Sequence, residues 1–430
     1  MVHGATEDIL LLIFGAVVDS WATPEAEWPD VAYSSDLAAA PFHLAAVCRQ
    51  WRTLTLATST LWTYFGFPKF FRAFPRHHGR LSLLLERSRN APVDVILFIM
   101  TYPYSIGAIK GQVASDVIHV LKALNDIAPR WRTASLHLPE VWMRQFWPAL
   151  RGECPVLESL ALISSYLDIS LPRAPRLERL CFVARDDVGT PEPELAHSDR
   201  LQYPSLKWLL IDSPLGRRTT ALCKHNIAYL NHLYILEKDD YPLQPLQCPN
   251  LSSLALDNLK YLNHIVAPNL RHLTVLGGFT VVPPLECDWS KVTTLNLHGE
   301  FIEPFLVHLR VFQHIKTLVL ELPPGLRAVY PRWETAYKVT GGFFKELRET
   351  RPYIWPSLER LRFAGPLSAK YPVIEMNEQG LIDFVADRNA EAGGVQDQGG
   401  RPAKIVEVIL EDPTVSSFTR ERLAELIGPT

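Results

Sequence analysis

The sequence predicts an α/β protein: a small α-helical bundle at the N-terminus, then an irregular solenoid of short strands forming a parallel sheet. Three observations predict it. Residues 8–18 and 44–65 set apolar side chains at helical spacing. A phrase of the form P-x-L-x-x-L-x-L returns through most of the remaining chain. The length, 430 residues, suits two or three compact domains, or one small domain and a repeat array.

In the bundle, Leu44, Val47, Cys48, Trp51 and Leu54 fall at steps of three and four, so on a single helix they form one apolar stripe opposite Arg49, Gln50, Arg52 and Thr53. Thr58, Ser59 and Thr60 offer a break before a second cluster of Leu61, Trp62, Tyr64 and Phe65. Upstream, Ile9, Leu12, Ile13, Ala16 and Val17 line one side of a helix while Leu10, Phe14 and Val18 fill the other. Such a helix needs cover on more than one face, yet a domain of about sixty residues buries only about 60% of its unfolded surface. The excess apolar surface is expected to seat another protein, helix in groove. Between these segments, Thr23-Pro24-Glu25 predicts a short capped helix.

Ile9-Leu10-Leu11-Leu12-Ile13-Phe14, Val47-Cys48-Arg49-Gln50-Trp51-Arg52 and Leu61-Trp62 resemble the F-box, the adaptor-binding module of SCF ubiquitin ligases, in the form common in mushroom-forming fungi. The resemblance covers roughly residues 5–66, and the Leu-Pro that usually opens the module is Ala5-Thr6 here. It implies an adaptor-binding surface built or bordered by Ile9, Leu12, Ile13, Val47, Cys48, Trp51 and Trp62. It also implies a Skp-type adaptor and, through it, a cullin ligase as partners.

Residues 67–80, with Pro68, Pro75 and Gly79, read as a linker, and His77-His78 as exposed loop. From 81 to 411 the repeated phrase takes over. It is clearest at Cys154-Pro155-Val156-Leu157 to Leu162, Ala174-Pro175-Arg176-Leu177 to Phe182, Tyr203-Pro204-Ser205-Leu206 to Ile211, Cys248-Pro249-Asn250-Leu251 to Leu256, Ala267-Pro268-Asn269-Leu270 to Val275 and Trp355-Pro356-Ser357-Leu358 to Phe363. Copies without proline begin at Leu230, Val292 and Ile315, and a degenerate one at Trp131. Steps run from 19 residues (Leu251 to Leu270) to 29 (Leu177 to Leu206), apart from one of 43 between Ile315 and Leu358. That interval matches leucine-rich repeats.

The last two apolar positions of the phrase alternate, so they share one face of a short strand that only stacked copies can bury. Regular arrays carry an asparagine three residues past the last apolar position. Here those positions hold Ser165, Arg185, Pro214, Lys238, Leu259, Gly278, Glu300, Pro323 and Pro366, so no such ladder is expected. The competing architecture is an α/β domain whose strands pair out of sequence order. A helix is expected at Phe343–Glu349, a flexible loop at 386–402, a last strand at Ile405–Leu410 and a capping helix within 412–430, at Ser416–Ile427.

Composition sets the limits on function. Lys plus Arg number 43 against 46 Asp plus Glu, which leaves no basic footprint for nucleic acid. Ile9 to Val18 is too short to span a bilayer, and Glu7-Asp8 stand where a secretory signal carries positive charge, so cytoplasm or nucleus is expected and Asn250-Leu251-Ser252 is no glycosylation site. The six cysteines show no metal-ligand spacing and read as buried free thiols. No nucleophile elbow, phosphate loop or zinc-protease motif occurs, so neither an enzyme nor a cofactor is expected.

The strand face turned from the core supplies the candidate target-binding residues: Trp208, Asp212, His232, Tyr234, Asp257, His272, Asn296 and His298. The function that the F-box resemblance implies is substrate recognition for an SCF ligase. The alternative is a repeat scaffold that assembles no ligase.

Overall fold

The computed structural model describes residues 6–20, 34–67, 78–98, 112–138, 140–164, 171–184, 202–212, 217–236, 245–257, 259–276, 289–297, 306, 308–320, 337–339, 341–363, 374–393, 401–411 and 415–428. They show a mixed α/β chain with a large parallel sheet, divided into two compact units, Met1–Asn226 and Ile227–Thr430.

The first unit opens with helices α1 (Glu7–Ser20), α2 (Ser35–Val47) and α3 (Arg49–Ala57). Leu10 and Phe14 form the buried side of α1, and the Phe14 ring meets Trp51 edge-on at 4.7 Å between centroids. The expected single helix from Leu44 through Leu54 is two helices. Cys48 is extended (φ −160°, ψ 174°) and its Sγ accepts the Trp51 N–H at 3.5 Å, so it ends one helix and caps the next. Arg52 reaches back across the corner to the Ala45 carbonyl at 3.0 Å. The stripe therefore divides: Leu44 and Leu54 are core, whereas Val47 and Cys48 are exposed. The short helix expected at Thr23-Pro24-Glu25 lies outside the described residues.

Six parallel strands follow in sequence order: β1 (Tyr64–Phe67), β2 (Val93–Phe98), β3 (Trp131–His137), β4 (Ser159–Ser164), β5 (Arg179–Ala184) and β6 (Trp208–Asp212). Helices His78–Ser88, Gln112–Asp126 and Arg217–Asn226 come between or after them, the first starting at His78 where a loop was expected. On one sheet face, Val95, Ala134, Leu160, Leu180 and Leu209 stand in one row and Leu97, Leu136, Leu162, Phe182 and Ile211 in the next. All ten are buried, each large one contributing about 1.5–3 kcal/mol.

The second unit repeats the plan with strands His232–Ile235, Ser253–Leu256, His272–Val275, Thr294–Leu297, Thr317–Leu320, Arg360–Phe363 and Glu407–Leu410. Its sheet strands also pair in parallel and in sequence order, which sets aside the out-of-order architecture. Leu233, Leu254, Leu273, Leu295, Leu318 and Leu361 make one core row, and Ile235, Leu256, Val275, Leu297, Leu320 and Phe363 the other.

The proline of each phrase has a defined place. The N–H of Leu157, Leu177, Leu206, Leu251, Leu270 or Leu358 donates to the carbonyl three residues back, closing a turn with proline second. Val292 and Ile315 close the same turn without proline. The residue opening each turn is buried: Cys154, Ala174, Tyr203, Cys248, Ala267, Trp289, Phe312 and Trp355.

A polar ladder does exist, on the opposite side of the strand from where regular arrays keep theirs. The third turn residue donates to the preceding copy: Ser205 to the Pro175 carbonyl (3.0 Å), Asn250 to Ala228 (2.7 Å) and Asn269 to Pro249 (2.8 Å), with Lys291 donating to the Asn269 side chain at 3.0 Å.

Beyond the array, helix Gly341–Glu349 and helix Glu378–Gly393 pack together, with Phe344 against Phe384 at 6.2 Å. Residues 386–393 were expected as flexible loop and are helical instead. Arg388 explains this: its guanidinium is buried and donates to the carbonyls of Trp355 (2.7 Å), Pro356 (3.1 Å) and Ala403 (3.0 Å), tying the helix to the last turn. Ser416 caps the final helix, Ser417–Ile427, and its N–H donates to Glu378 at 3.2 Å.

Candidate interaction surfaces

At the helical corner, Ile9 (49% exposed), Leu12 (75%), Ile13 (38%) and Val47 (59%) are among the large apolar side chains left in solvent. The Phe14–Trp51 contact holds α1 against the first turn of α3, whose cap, Cys48, is also exposed. Trp51 is half-buried. Trp62 is 1% exposed, its indole N–H donating to the Thr55 carbonyl at 2.7 Å, so it supports the surface from inside and cannot line it.

On the second face of the first unit's sheet, Asp94, Thr133, Ser159, Arg179 and Trp208 share a row. Trp208 and Asp212 are half-buried. The next row, Ile96, Ser135, Ala161, Cys181 and Leu210, is buried throughout, so this sheet is covered on both faces there. Burial, followed by the Asp212 charge, pushes the Cys181 thiol well up, and burial alone takes Cys154 and Cys248 to about 12. None is a thiolate near neutrality. Cys223 is likewise a buried thiol. Cys287 lies outside the described residues.

In the second unit, His232, Ser253, His272, Thr294, Thr317, Arg360 and Glu407 form one row, and Tyr234, Ala255, Thr274, Asn296, Val319, Arg362 and Ile409 the next. His232, Tyr234, Asp257 and Asn296 are half-buried and His272 is exposed, while His298 lies outside the described residues. Ala255 and Thr274 are buried, so the face is not open along its length. It opens fully at Arg360, Arg362, Glu407 and Ile409. There Arg360 pairs with Glu407 at 3.6 Å and Arg362 with Glu411 at 2.7 Å.

Burial lowers the proton affinity of His232, helped by the His272 charge, and burial then the Arg271 charge lowers that of His272. Both imidazoles are neutral near pH 7. Among the described residues no three His, Cys, Asp or Glu side chains gather as a metal site, and no helix is long and apolar enough to cross a membrane.

Alternation already placed Arg360 and Arg362 on this face, but the open end was not among the candidate target-binding residues. Its signal was present: Arg360-Leu361-Arg362-Phe363 alternates strictly, the mark of a strand with one solvated face, whereas Ser159-Leu160-Ala161-Leu162-Ile163 is a nearly continuous apolar run.

No protein-family model matches the sequence, and no curated protein matches it.

Proposed function

We propose that this chain is a non-catalytic adaptor of an SCF-type ubiquitin ligase, its N-terminal helices acting as an F-box and its strands as an irregular leucine-rich-repeat solenoid that holds a target protein. The observation that carries the reading is the exposed apolar corner of Ile9, Leu12, Ile13 and Val47 on a bundle whose other side, Leu10, Phe14 and Trp62, is core. The chain supplies proximity, placing a target where other subunits transfer ubiquitin. The partners are a Skp-type adaptor, a cullin ligase through it and a protein target, in cytoplasm or nucleus.

The test is capture of a purified fungal Skp-type adaptor by wild type, Leu12→Asp and Ile13→Asp, with circular dichroism as the folding control. Both variants should lose capture while staying folded. No capture by wild type, or capture indifferent to the new charges, removes the docking claim. It would favour instead a repeat scaffold without a ligase, the reading that Ala5-Thr6 in place of Leu-Pro supports.

A further inference from the structure

In the second unit each strand is entered through one residue that bonds to its counterpart in the repeat before. The Arg271 N–H donates to the Ser252 carbonyl (2.9 Å), Thr293 to Arg271 (3.0 Å), Lys316 to Thr293 (2.8 Å) and Glu359 to Lys316 (2.9 Å). In the first unit the cations at this position are neutralised, Arg132 by Asp94 and Lys207 by Glu178 at 2.9 Å. Arg271 and Lys316 differ: both are exposed, and among the described residues neither side chain makes a hydrogen bond or an ion pair. Lys291, exposed too, donates to the uncharged Asn269 side chain.

Hydroxyl groups lie between these cations. Thr293, Thr294 and Thr317 are half-buried, and their hydroxyls have no partner among the described residues. Thr294 and Thr317 continue the outward row from His272, where burial and then the Arg271 charge lower the proton affinity of the imidazole. Each group in this patch can donate to an oxygen, and no carboxylate stands among them.

We propose that the patch binds an acidic segment of a protein, whose carboxylates accept from Arg271, Lys291, Lys316 and the threonine hydroxyls. This gives the target of the proposed function its chemistry and rests on that reading. Spacing selects the partner. The cations come one to a repeat and do not converge, which suits several carboxylates along a chain and not a single phosphate group. Arg271 and Lys316 stand two strand spacings apart, about 9.6 Å, and a polyproline-type chain returns to the same side every three residues, about 9.3 Å. The patch is also bounded, because Glu359 enters the next strand and makes no ion pair with Lys316. A nucleic acid, charged at every nucleotide, would run on over that carboxylate, whereas a short acidic peptide stops before it.

The test is fluorescence anisotropy of a labelled Pro-rich peptide with Glu at every third position, titrated with the full chain and no adaptor. Saturable binding that weakens as salt rises is expected, and the Gln version of the peptide should bind about tenfold more weakly. Arg271→Gln and Lys316→Gln should each weaken binding about threefold, and the Arg271→Glu, Lys316→Glu double variant about thirtyfold. Lys207→Gln should change it less than about twofold, and urea midpoints check that every variant is folded. Equal binding of the Glu and Gln peptides, indifference to the double variant, or an equal loss with Lys207→Gln would each overturn the proposal. So would a single-stranded oligonucleotide that competes at lower concentration than the unlabelled peptide. Adaptor capture by the double variant, read separately, should match wild type, so failure of the ligase reading and failure here are told apart.

Discussion

The side-chain amide of Asn269 donates to the Pro249 carbonyl, 2.8 Å away and one repeat earlier, and in turn accepts from Lys291 of the repeat that follows. One side chain thus links three successive turns. Replacing Asn269 with Ala is expected to cost about 0.5–1.5 kcal/mol. Asn250→Ala should cost a similar amount, each read from the urea midpoint with unchanged slope. A null effect at both sites would show the ladder to be decorative.

Arg388 is a heavier fixture. Its buried guanidinium serves three backbone carbonyls, and burial, followed by the Arg351 charge, lowers its pKa to about 10. Arg388→Met removes all of these charge-assisted bonds and should destabilise the second unit by about 3 kcal/mol or more. Calorimetry of Arg388→Met and Arg388→Lys checks this, and Lys should recover only part of the loss.

Phe14 and Leu12 separate folding from recognition. Phe14 is fully buried against Trp51, so Phe14→Ala should cost about 3–5 kcal/mol and disturb the bundle. Leu12 is 75% exposed, and Leu12→Ala should leave stability within about 0.5 kcal/mol while weakening partner capture. Thermal melts beside a capture assay distinguish the two outcomes.

Acidification should weaken the second unit in two stages. His232 and His272 have folded pKa values below 6.5, so their neutral forms contribute stability that is fully present above 6.5 and is lost as pH falls from there toward the folded values. At Glu378, burial raises the pKa, but hydrogen bonds from Ser416 and Thr419 and the Arg420 charge outweigh it and leave it below 4.5. Its contribution is present above 4.5 and fades as pH drops through the folded value. Unfolding midpoints of the His232→Gln, His272→Gln double variant should decline less between pH 7 and 5 than those of wild type.

The repeated phrase made the array legible because three apolar positions per copy recur at nearly constant spacing and each proved to be core, Leu157-Leu160-Leu162 being typical. The strands Tyr64–Phe67 and Val93–Phe98 escaped because neither follows such a phrase, and Tyr64-Phe65 continued an apolar cluster already read as helical. The corner at Cys48 was invisible because apolar spacing runs straight through it, and only the thiol's bond to the Trp51 N–H discloses the break. Of the residues expected to serve recognition, Leu12, Ile13 and His272 lie on the surface, but Trp62 does not, since a large aromatic in a small bundle is drawn inward whatever a motif assigns it. Ala255 and Thr274 are buried although strand alternation alone predicts them solvated.

The half-covered strand Glu407–Leu410 also fixes where the second unit loosens first. In a stack held only by nearest neighbours, opening starts at the layer with least to lose, so fraying should run from this C-terminal strand inward. Its amide hydrogens would exchange ahead of those at Leu254 or Leu273, giving the chain a built-in sense of direction as it comes apart.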